Sequence, residues 1–189
     1  METQFTLIAY GSWFALVLVW LPGYFTGGRS SAVRNPALQL QATALLAICF
    51  LLLFNPHLLG LGMTVTPRSA MVGMTGVAFD LTGVALAIWA RLVLGRNWSG
   101  MVMTVKEGHE LVQTGTYACL RHPIYTGLLL AILGTALTLG TLASYLGVAA
   151  GLAALIIRIG LEETLMSERF RESHDAYRQR TKKLIPFLW

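Results

Sequence analysis

Arg158 is the residue of this sequence that most clearly indicates chemistry. It follows the apolar run 152–157 and precedes Glu162 by one helical turn. Ionisable groups inside an apolar helix usually face the bundle interior or a cavity, and the i, i+4 spacing places both charges on one helix face. An arginine that extends to the lipid headgroups and pairs locally is the alternative. An interior Arg158 would offer a cationic contact to an anionic substrate.

A second candidate site is the segment Arg121-His122-Pro123-Ile124-Tyr125, where the apolar stretch 124–161 begins. Proline in the first turn is a helix start signal and places His122 near the N-cap. A helix N-terminus with Arg121 beside it would attract an anion such as the carboxylate of an amino-acid-like cofactor. A helix cap with interfacial arginine and tyrosine anchors explains the segment equally well.

The third candidate is the pair Glu162-Glu163, which opens a polar helix with Met166, Phe170 and Tyr177 near helical spacing. Adjacent side chains point about 100° apart on a helix, so a proton shared between the two carboxylates is not expected. One glutamate is expected to bind a ligand, while the other faces solvent and caps the helix.

Metal and nucleotide sites of the common types are not expected. The histidines stand at positions 57, 109, 122 and 174 and form no compact ligand pattern, and His109-Glu110 lacks the second histidine of HExxH. Glycine-rich stretches do not precede strand–helix units, so neither a P-loop nor a Rossmann site is indicated. Asp80, inside an apolar run, is interpreted as a packed, hydrogen-bonded or protonated acid.

The elements that must position these residues are membrane helices. The chain is 55% hydrophobic and 12% charged, against roughly a quarter charged in soluble domains. Apolar runs long enough to span a bilayer occur at 5–25, 38–60 and 71–94, and the stretch 124–161 is interrupted at Gly140-Thr141. The sequence therefore predicts an all-α integral membrane protein with five transmembrane helices and a cytoplasmic C-terminal helix. The spacing of Gly147 and Gly151 would allow close helix contact.

The positive charges indicate the orientation. With five spans, Arg29, Arg34, the connection 96–121 and the segment 169–183 fall on one side, and Arg68 falls on the other. The positive-inside rule then places the N-terminus outside and the polar segments in the cytoplasm. The net charge of +5 is thus a topology signal, and nucleic-acid binding is not expected. The first apolar run lacks a basic n-region and is predicted to be a retained span.

Three groups of residues resemble the isoprenylcysteine carboxyl methyltransferase family. They are Leu94-Gly95-Arg96-Asn97-Trp98-Ser99; Gly108-His109-Glu110-Leu111-Val112 with Gly115-Thr116-Tyr117; and Arg121-His122-Pro123-Ile124-Tyr125-Thr126-Gly127. Glu162-Glu163, Phe170, Tyr177 and Leu184-Ile185-Pro186 extend the resemblance, which covers about residues 90–189. RHPxY alone is also similar to phospholipid methyltransferases and sterol-type reductases.

A length of 189 residues suggests a single domain over 1–189, and the resemblance implies S-adenosyl-L-methionine as its cofactor. Its three-span region is 1–90, and its cofactor-binding core is 90–189 with the helical hairpin 124–161. The implied cofactor contacts are His109, Glu110, Leu111, Val112, Tyr117, His122, Pro123, Ile124, Tyr125 and Glu162. Arg158 matches a family arginine that contacts the methyl acceptor, and Arg158 and Glu162 are the expected catalytic residues.

The expected partner is a lipophilic small molecule or a lipidated substrate in contact with membrane lipid. An acceptor carboxylate is already a nucleophile, so positioning and water exclusion would matter more than a general base. An amine acceptor would need a base, for which Glu162, Glu163 and His122 are the nearest candidates. An NADPH-dependent membrane reductase, a phospholipid N-methyltransferase and a non-enzymatic membrane subunit are the alternative functions.

Overall fold

A computed structural model describes residues 2–25, 35–98 and 110–185. The described residues form five α-helices: α1 (Glu2–Phe25), α2 (Pro36–Phe54), α3 (Ala70–Leu94), α4 (Pro123–Leu139) and α5 (Leu142–Arg180). Short 3₁₀ turns lie at Leu58–Gly60, Gly95–Asn97 and Gly115–Ala118. Within these ranges extended pairing is limited to two isolated bridges, so the all-helical fold class is confirmed.

Four of the helices are long and apolar enough to cross a membrane, namely α1, α2, α3 and α5. Helix α4 is apolar but has 17 residues. Large side chains on the outside of the bundle are exposed, including Leu40, Met71 and Trp89. A surface of this kind fits lipid as the solvent, and the protein is a multi-pass membrane protein.

The second apolar run differs from its prediction, because α2 ends at Phe54 and not near residue 60. Pro56 has no amide hydrogen to donate, and it disfavours the helical conformation for the residue before it. Asn55 accordingly leaves the helical conformation, with φ −129° and ψ 67°. The chain then turns through Leu59, which has φ 54°.

Glycines set the closest helix contacts. A Cβ added to Gly83 on α3 would lie 2.4 Å from the Ala131 nitrogen on α4, so these two backbones touch. Gly147 and Gly151 on α5 both face Cys49 on α2. The spacing of these two glycines therefore serves helix packing, as predicted.

The hairpin between α4 and α5 turns where the sequence predicts it. Gly140 adopts φ 64° and donates to the Ala136 carbonyl, and the Thr141 hydroxyl caps α5 by accepting from the Ser144 amide. The Val65 amide donates to the Gly140 carbonyl at 2.8 Å, which fixes this turn to the connection between α2 and α3. The polar segments 95–98, 110–122 and 162–184 consequently gather at the other end of the bundle.

Candidate functional site

The start of α4 carries the central histidine of the site. Pro123 is the first helical residue, and its fixed φ suits a helix start. His122 is the N-cap residue, with φ −125° and ψ 55°, and only 7% of it is exposed. Its position one residue before the helix turns the imidazole towards α5.

Two adjacent carboxylates of α5 meet this imidazole. His122 Nδ1 lies 3.2 Å from Glu162 Oε2, and His122 Nε2 lies 3.0 Å from Glu163 Oε1. A carboxylate only accepts hydrogen bonds, so the arrangement suits an imidazolium that donates from both nitrogens. Burial disfavours that charge, but the hydrogen bonds to Glu162 and Glu163 and their negative charges outweigh burial and raise the pKa of His122.

Glu163 does not face solvent, contrary to the expectation for one member of the pair. Its side chain is 13% exposed and accepts from Arg121 Nε at 2.8 Å, while Arg178 Nε lies 3.6 Å away. The expectation failed because these partners come from a connection and from a later turn of α5. Glu163 is therefore the internal counter-ion of a cationic cluster.

Arg121, which was predicted to help the helix N-terminus attract an anion, also makes contacts within the protein. Besides Glu163, it donates from Nη1 to the Thr181 carbonyl at 2.6 Å, and its side chain is 8% exposed. These bonds engage Nε and Nη1 of the guanidinium within the protein. Arg121 thus fixes the connection before α4 to the segment that follows α5.

That following segment runs beside the start of α4. The Arg121 amide donates to the Lys182 carbonyl and the His122 amide to the Lys183 carbonyl, at 2.8 and 3.1 Å. Thr126 Oγ1 donates to the Leu184 carbonyl at 2.7 Å, and Leu184 is 2% exposed. Residues 181–184 therefore fix the backbone of His122 and of the first turn of α4.

Arg158 lies inside the bundle and is 4% exposed, which agrees with an interior arginine and not with one extended to the headgroups. Its Nε donates to the Tyr125 hydroxyl at 3.3 Å, and its guanidinium carbon lies 5.9 Å from the Tyr125 ring centroid. The Tyr125 hydroxyl in turn donates to Glu162 Oε1. Arg158, Tyr125 and Glu162 form one chain of polar contacts that ends at His122.

Further long-range hydrogen bonds hold the earlier part of the connection before α4. The Glu110 amide donates to Asn97 Oδ1 at 3.0 Å, and Tyr177 of α5 donates to the Tyr117 carbonyl at 2.7 Å. These contacts place Leu111 and Val112 against the site. The motif residues on both sides of the connection therefore meet in space.

A cavity of about 750 Å³ joins these residues. Among the predicted site residues, those that line it are Glu110, Leu111, Val112, Tyr117, His122, Ile124, Tyr125, Arg158 and Glu162. Pro123 is fully buried and is not part of the lining, and His109 lies outside the described residues. One cavity thus collects nine of the residues that the motifs indicated.

One wall of the cavity was missed by sequence reasoning. It is apolar and comes largely from the first two helices, with Tyr10, Trp13, Phe14, Leu16, Val17, Trp20 and Leu21 on α1 and Leu46, Phe50 and Phe54 on α2. Trp20 packs against Trp98 with ring centroids 5.6 Å apart, and Arg91 lies 4.2 Å from the Trp98 ring centroid. Aromatic side chains on α1 were the available signal, but lipid contact explains them equally well.

Over the described ranges, His, Cys, Asp and Glu side chains form no group of three or more that could hold a metal ion. Both cysteines are free thiols, with Cys49 buried and Cys119 exposed. The polar end of the cavity is therefore a site of arginine, histidine, tyrosine and glutamate chemistry.

Comparison with known proteins decides the family. The profile of the isoprenylcysteine carboxyl methyltransferase family matches residues 76–168, a range that includes His122, Arg158 and Glu162. Residues 76–168 of this chain belong to the isoprenylcysteine carboxyl methyltransferase family. The match begins within α3, so α1 and α2 lie outside it.

Individual relatives of the family support the match. The chain is 31% identical to the protein-S-isoprenylcysteine O-methyltransferase of Schizosaccharomyces pombe over 60% of its own length and 49% of that protein. It is 29% identical to protein-S-isoprenylcysteine O-methyltransferase B of Arabidopsis thaliana, over 60% of the chain and 58% of that protein. The cobalt-zinc-cadmium resistance protein CzcN of Cupriavidus metallidurans is 31% identical, over 67% of the chain and 53% of that protein. The chain thus spans about half the length of these relatives.

Proposed function

We propose that this chain is a membrane methyltransferase that transfers a methyl group from S-adenosyl-L-methionine to the carboxylate of a lipophilic acceptor. The observation that carries the proposal is the composition of the cavity. One end is polar, with His122, Tyr125 and Glu162, and another part is an apolar wall that comes largely from α1 and α2. Arg158 lies where the two parts meet. A soluble cofactor and an apolar acceptor would each find matching surroundings in one space.

The polar end fits the chemistry of the cofactor. The amides of Ile124 and Tyr125 belong to the first turn of α4, where amides have no acceptor within the helix, so they can receive the cofactor carboxylate. Glu162 offers negative charge to the cofactor's ammonium and sulfonium groups. Leu111 and Val112 provide apolar walls for the adenosine. When bound, the cofactor supplies an activated methyl group.

Arg158 favours a carboxylate as the acceptor. A guanidinium can hold a carboxylate through two hydrogen bonds, and the acceptor oxygen then needs orientation rather than deprotonation. His122 and Glu162 are poorly placed to act as a general base. Both His122 nitrogens face carboxylates, and Glu162 accepts hydrogen bonds from Tyr125 and His122. The engagement of both groups supports an acid acceptor over the amine of a phospholipid headgroup, which would need a base.

The relatives' names and the lipid environment suggest the class of acceptor. Two relatives are named for isoprenylcysteine, an acid that carries a long apolar thioether. The apolar wall of α1 and α2 would exclude water from the reacting groups and receive such a tail. The partner of this chain is accordingly a lipophilic or lipidated acid, and membership of the family favours methyl transfer over the reductase alternative.

The topology that accompanies this function has five crossings. Helix α4 lies against α3 from Gly127 to Gly134, and its end is bonded to the connection between α2 and α3. At 1.5 Å per residue its length is about 26 Å, close to the hydrocarbon thickness. The distribution of Arg and Lys then supports an outer N-terminus, with the site and the end of α5 in the cytoplasm.

The test is cofactor binding by the purified protein, followed by product analysis. We expect saturable binding of S-adenosyl-L-methionine that His122→Ala and Glu162→Ala weaken by at least about tenfold, since each removes a charged contact in the polar end. His57→Ala, at the opposite end of the bundle, and Glu172→Ala, exposed on α5, are the controls. Undiminished binding in both folded site variants would overturn the proposed pocket.

The product identifies the acceptor group. Membranes that contain the protein are incubated with methyl-labelled cofactor, and the lipophilic products are treated with mild base. An ester releases its label, whereas N-methyl and S-methyl products retain it. Retained label would contradict a carboxylate acceptor.

A further inference from the structure

Asp80 is a buried acid that the proposed reaction does not use. It lies in the middle of α3, is fully buried, and accepts hydrogen bonds at both carboxylate oxygens. Thr135 of α4 donates to Oδ1 at 2.8 Å, and Ser12 of α1 donates to Oδ2 at 2.5 Å. Asp80 therefore links three helices through hydroxyl groups.

The same network extends to the cavity through Trp13. The indole Nε1 of Trp13 donates to Thr135 Oγ1 at 2.8 Å, so one hydroxyl joins Trp13 to Asp80. Trp13 is 4% exposed and lines the cavity. Its ring meets Phe50 of α2 edge-on, with centroids 5.1 Å apart. The indole is thus held by a hydrogen bond on one side and an aromatic contact on the other.

Trp13 belongs to a group of four aromatic residues at the end of the cavity away from His122, which we name the aromatic floor: Tyr10, Trp13, Phe50 and Phe54. Tyr10 and Phe54 have ring centroids 4.9 Å apart, and the Tyr10 hydroxyl donates to the Leu53 carbonyl at 2.9 Å. The floor therefore closes the space between α1 and α2 at this end.

The depth of the floor follows from α4. Tyr125 lies at the polar end, and Thr135, which bonds Trp13, lies ten residues further along the same helix. At 1.5 Å per residue this separation is about 15 Å. An apolar tail that extends from an acceptor carboxylate at Arg158 would reach Trp13 after this distance.

We propose that Trp13 sets the length of the apolar tail that the acceptor can carry, and that Asp80 and Thr135 are positioning residues that fix the Trp13 indole. The inference rests on the proposed function and deepens it. It concerns α1 and α2, which the family match does not cover.

A polar network suits this task better than aliphatic packing would. An indole held only by apolar contacts can change rotamer to admit a longer tail, because such contacts have no preferred direction. A hydrogen bond from Nε1 to a hydroxyl that is itself bonded to a buried carboxylate fixes one orientation, since leaving either group unpaired in the bundle interior is costly. Thr135 and Asp80 thereby fix the position of the Trp13 indole in the aromatic floor.

The first experiment compares acceptors of increasing tail length. Purified protein is assayed with N-acetyl-S-geranyl-, S-farnesyl- and S-geranylgeranyl-L-cysteine, and the ratio of kcat/KM for the geranylgeranyl to the farnesyl compound is measured. We expect Trp13→Phe to raise this ratio by about tenfold, the effect typical of a small change in an apolar pocket, and Trp13→Ala to raise it further. The KM for the cofactor is expected to stay unchanged.

Trp89 provides the matched control, because it lies on α3, is 56% exposed and does not line the cavity. Trp89→Phe should leave the tail-length ratio as it is in the native protein. A native protein that accepts all three tails equally, or a Trp13→Phe variant that keeps the native ratio, would overturn the proposal. A shift of the same size in Trp89→Phe would do so as well.

The positioning role is tested on α4. Thr135→Val keeps the shape of the side chain but removes the hydroxyl, and it should raise the tail-length ratio in the same direction as Trp13→Phe. Thr135→Ser should restore the native ratio. Thr138→Val is the control, since the Thr138 hydroxyl donates to the Gly134 carbonyl of its own helix and not to Asp80. A Thr135→Val variant that loses thermal stability but keeps the native ratio would show the network to be structural only.

A binding measurement separates this inference from the proposed function. Each acceptor is added without cofactor, and the rise in Tm is recorded, because a ligand that binds the folded state stabilises it. If methyl transfer is absent, the proposed function fails, while the order of Tm shifts still tests the floor. Equal shifts for all three tails in the native protein would overturn the tail-length limit.

Discussion

Glu162 and Glu163 are neighbours of the same type, yet the structure predicts opposite consequences when each loses its charge. The Glu163 carboxylate is 13% exposed and serves Arg121, His122 and Arg178. Glu163→Gln would leave these cations without their shared counter-ion while keeping the shape of the side chain. Removing one partner of a buried ion pair costs about 3 kcal/mol or more. For a chain of this size we therefore expect a fall in Tm of roughly 6–12 °C.

Glu162→Gln should behave differently. Its side chain is 32% exposed and lines the cavity, so solvent screens part of the lost interaction, and the variant amide can still accept from Tyr125. We expect a smaller fall in Tm but a clear loss of cofactor affinity. Glu172→Gln, exposed on the same helix, should change neither quantity.

The assay is thermal unfolding of the purified protein in detergent micelles, with cofactor binding measured on the same samples. Equal falls in Tm for the two site variants would refute the division of roles between the carboxylates. So would a Glu163→Gln variant as stable as Glu172→Gln.

Two further outcomes follow from the described contacts. Gly83→Ala should lower the free energy of unfolding by about 2 kcal/mol or more, because its Cβ would lie 2.4 Å from the backbone nitrogen of Ala131. Gly11→Ala is the control, since a Cβ at Gly11 would have no atom within 4 Å. This control should have little effect in the same thermal assay. The raised pKa of His122 means that its ion pairs contribute fully below about pH 6.5 and are lost as pH rises through the raised value. Tm should therefore fall from neutral to alkaline pH in the native protein, and a His122→Asn variant that keeps the same slope would contradict this origin.

The helices could be predicted because span length and apolarity are local properties of a sequence. The predicted end of α2, near residue 60, lay too far along the chain. The prediction followed the apolar residues beyond Pro56, whereas the helix ends before this proline. The partners of Glu163 could not be foreseen, since Arg121 and His122 lie about forty residues earlier and meet it only when α4 packs on α5. Local helix rules assign such a residue to solvent by default.

The apolar part of the cavity could not be predicted from the sequence, for a different reason. In a soluble protein a polar outer face distinguishes the buried face of a helix, but a membrane helix is apolar on both faces. Val17, which lines the cavity, and Leu18, which is 53% exposed and does not line it, are adjacent and similar in polarity. Polar motifs could therefore locate the polar end of the cavity, whereas its apolar end depends on where α1 and α2 lie in the bundle.

The pairing of residues 181–184 with the start of α4 has a consequence for biogenesis. Synthesis is vectorial, so α4 is made and inserted well before the segment that holds His122 from behind. Until residues 181–184 emerge and pair with 119–122, the imidazole lacks part of its support. We therefore expect the proposed cofactor binding to be acquired as a late step of biogenesis, and a chain interrupted after α5 should be inserted but should not bind the cofactor.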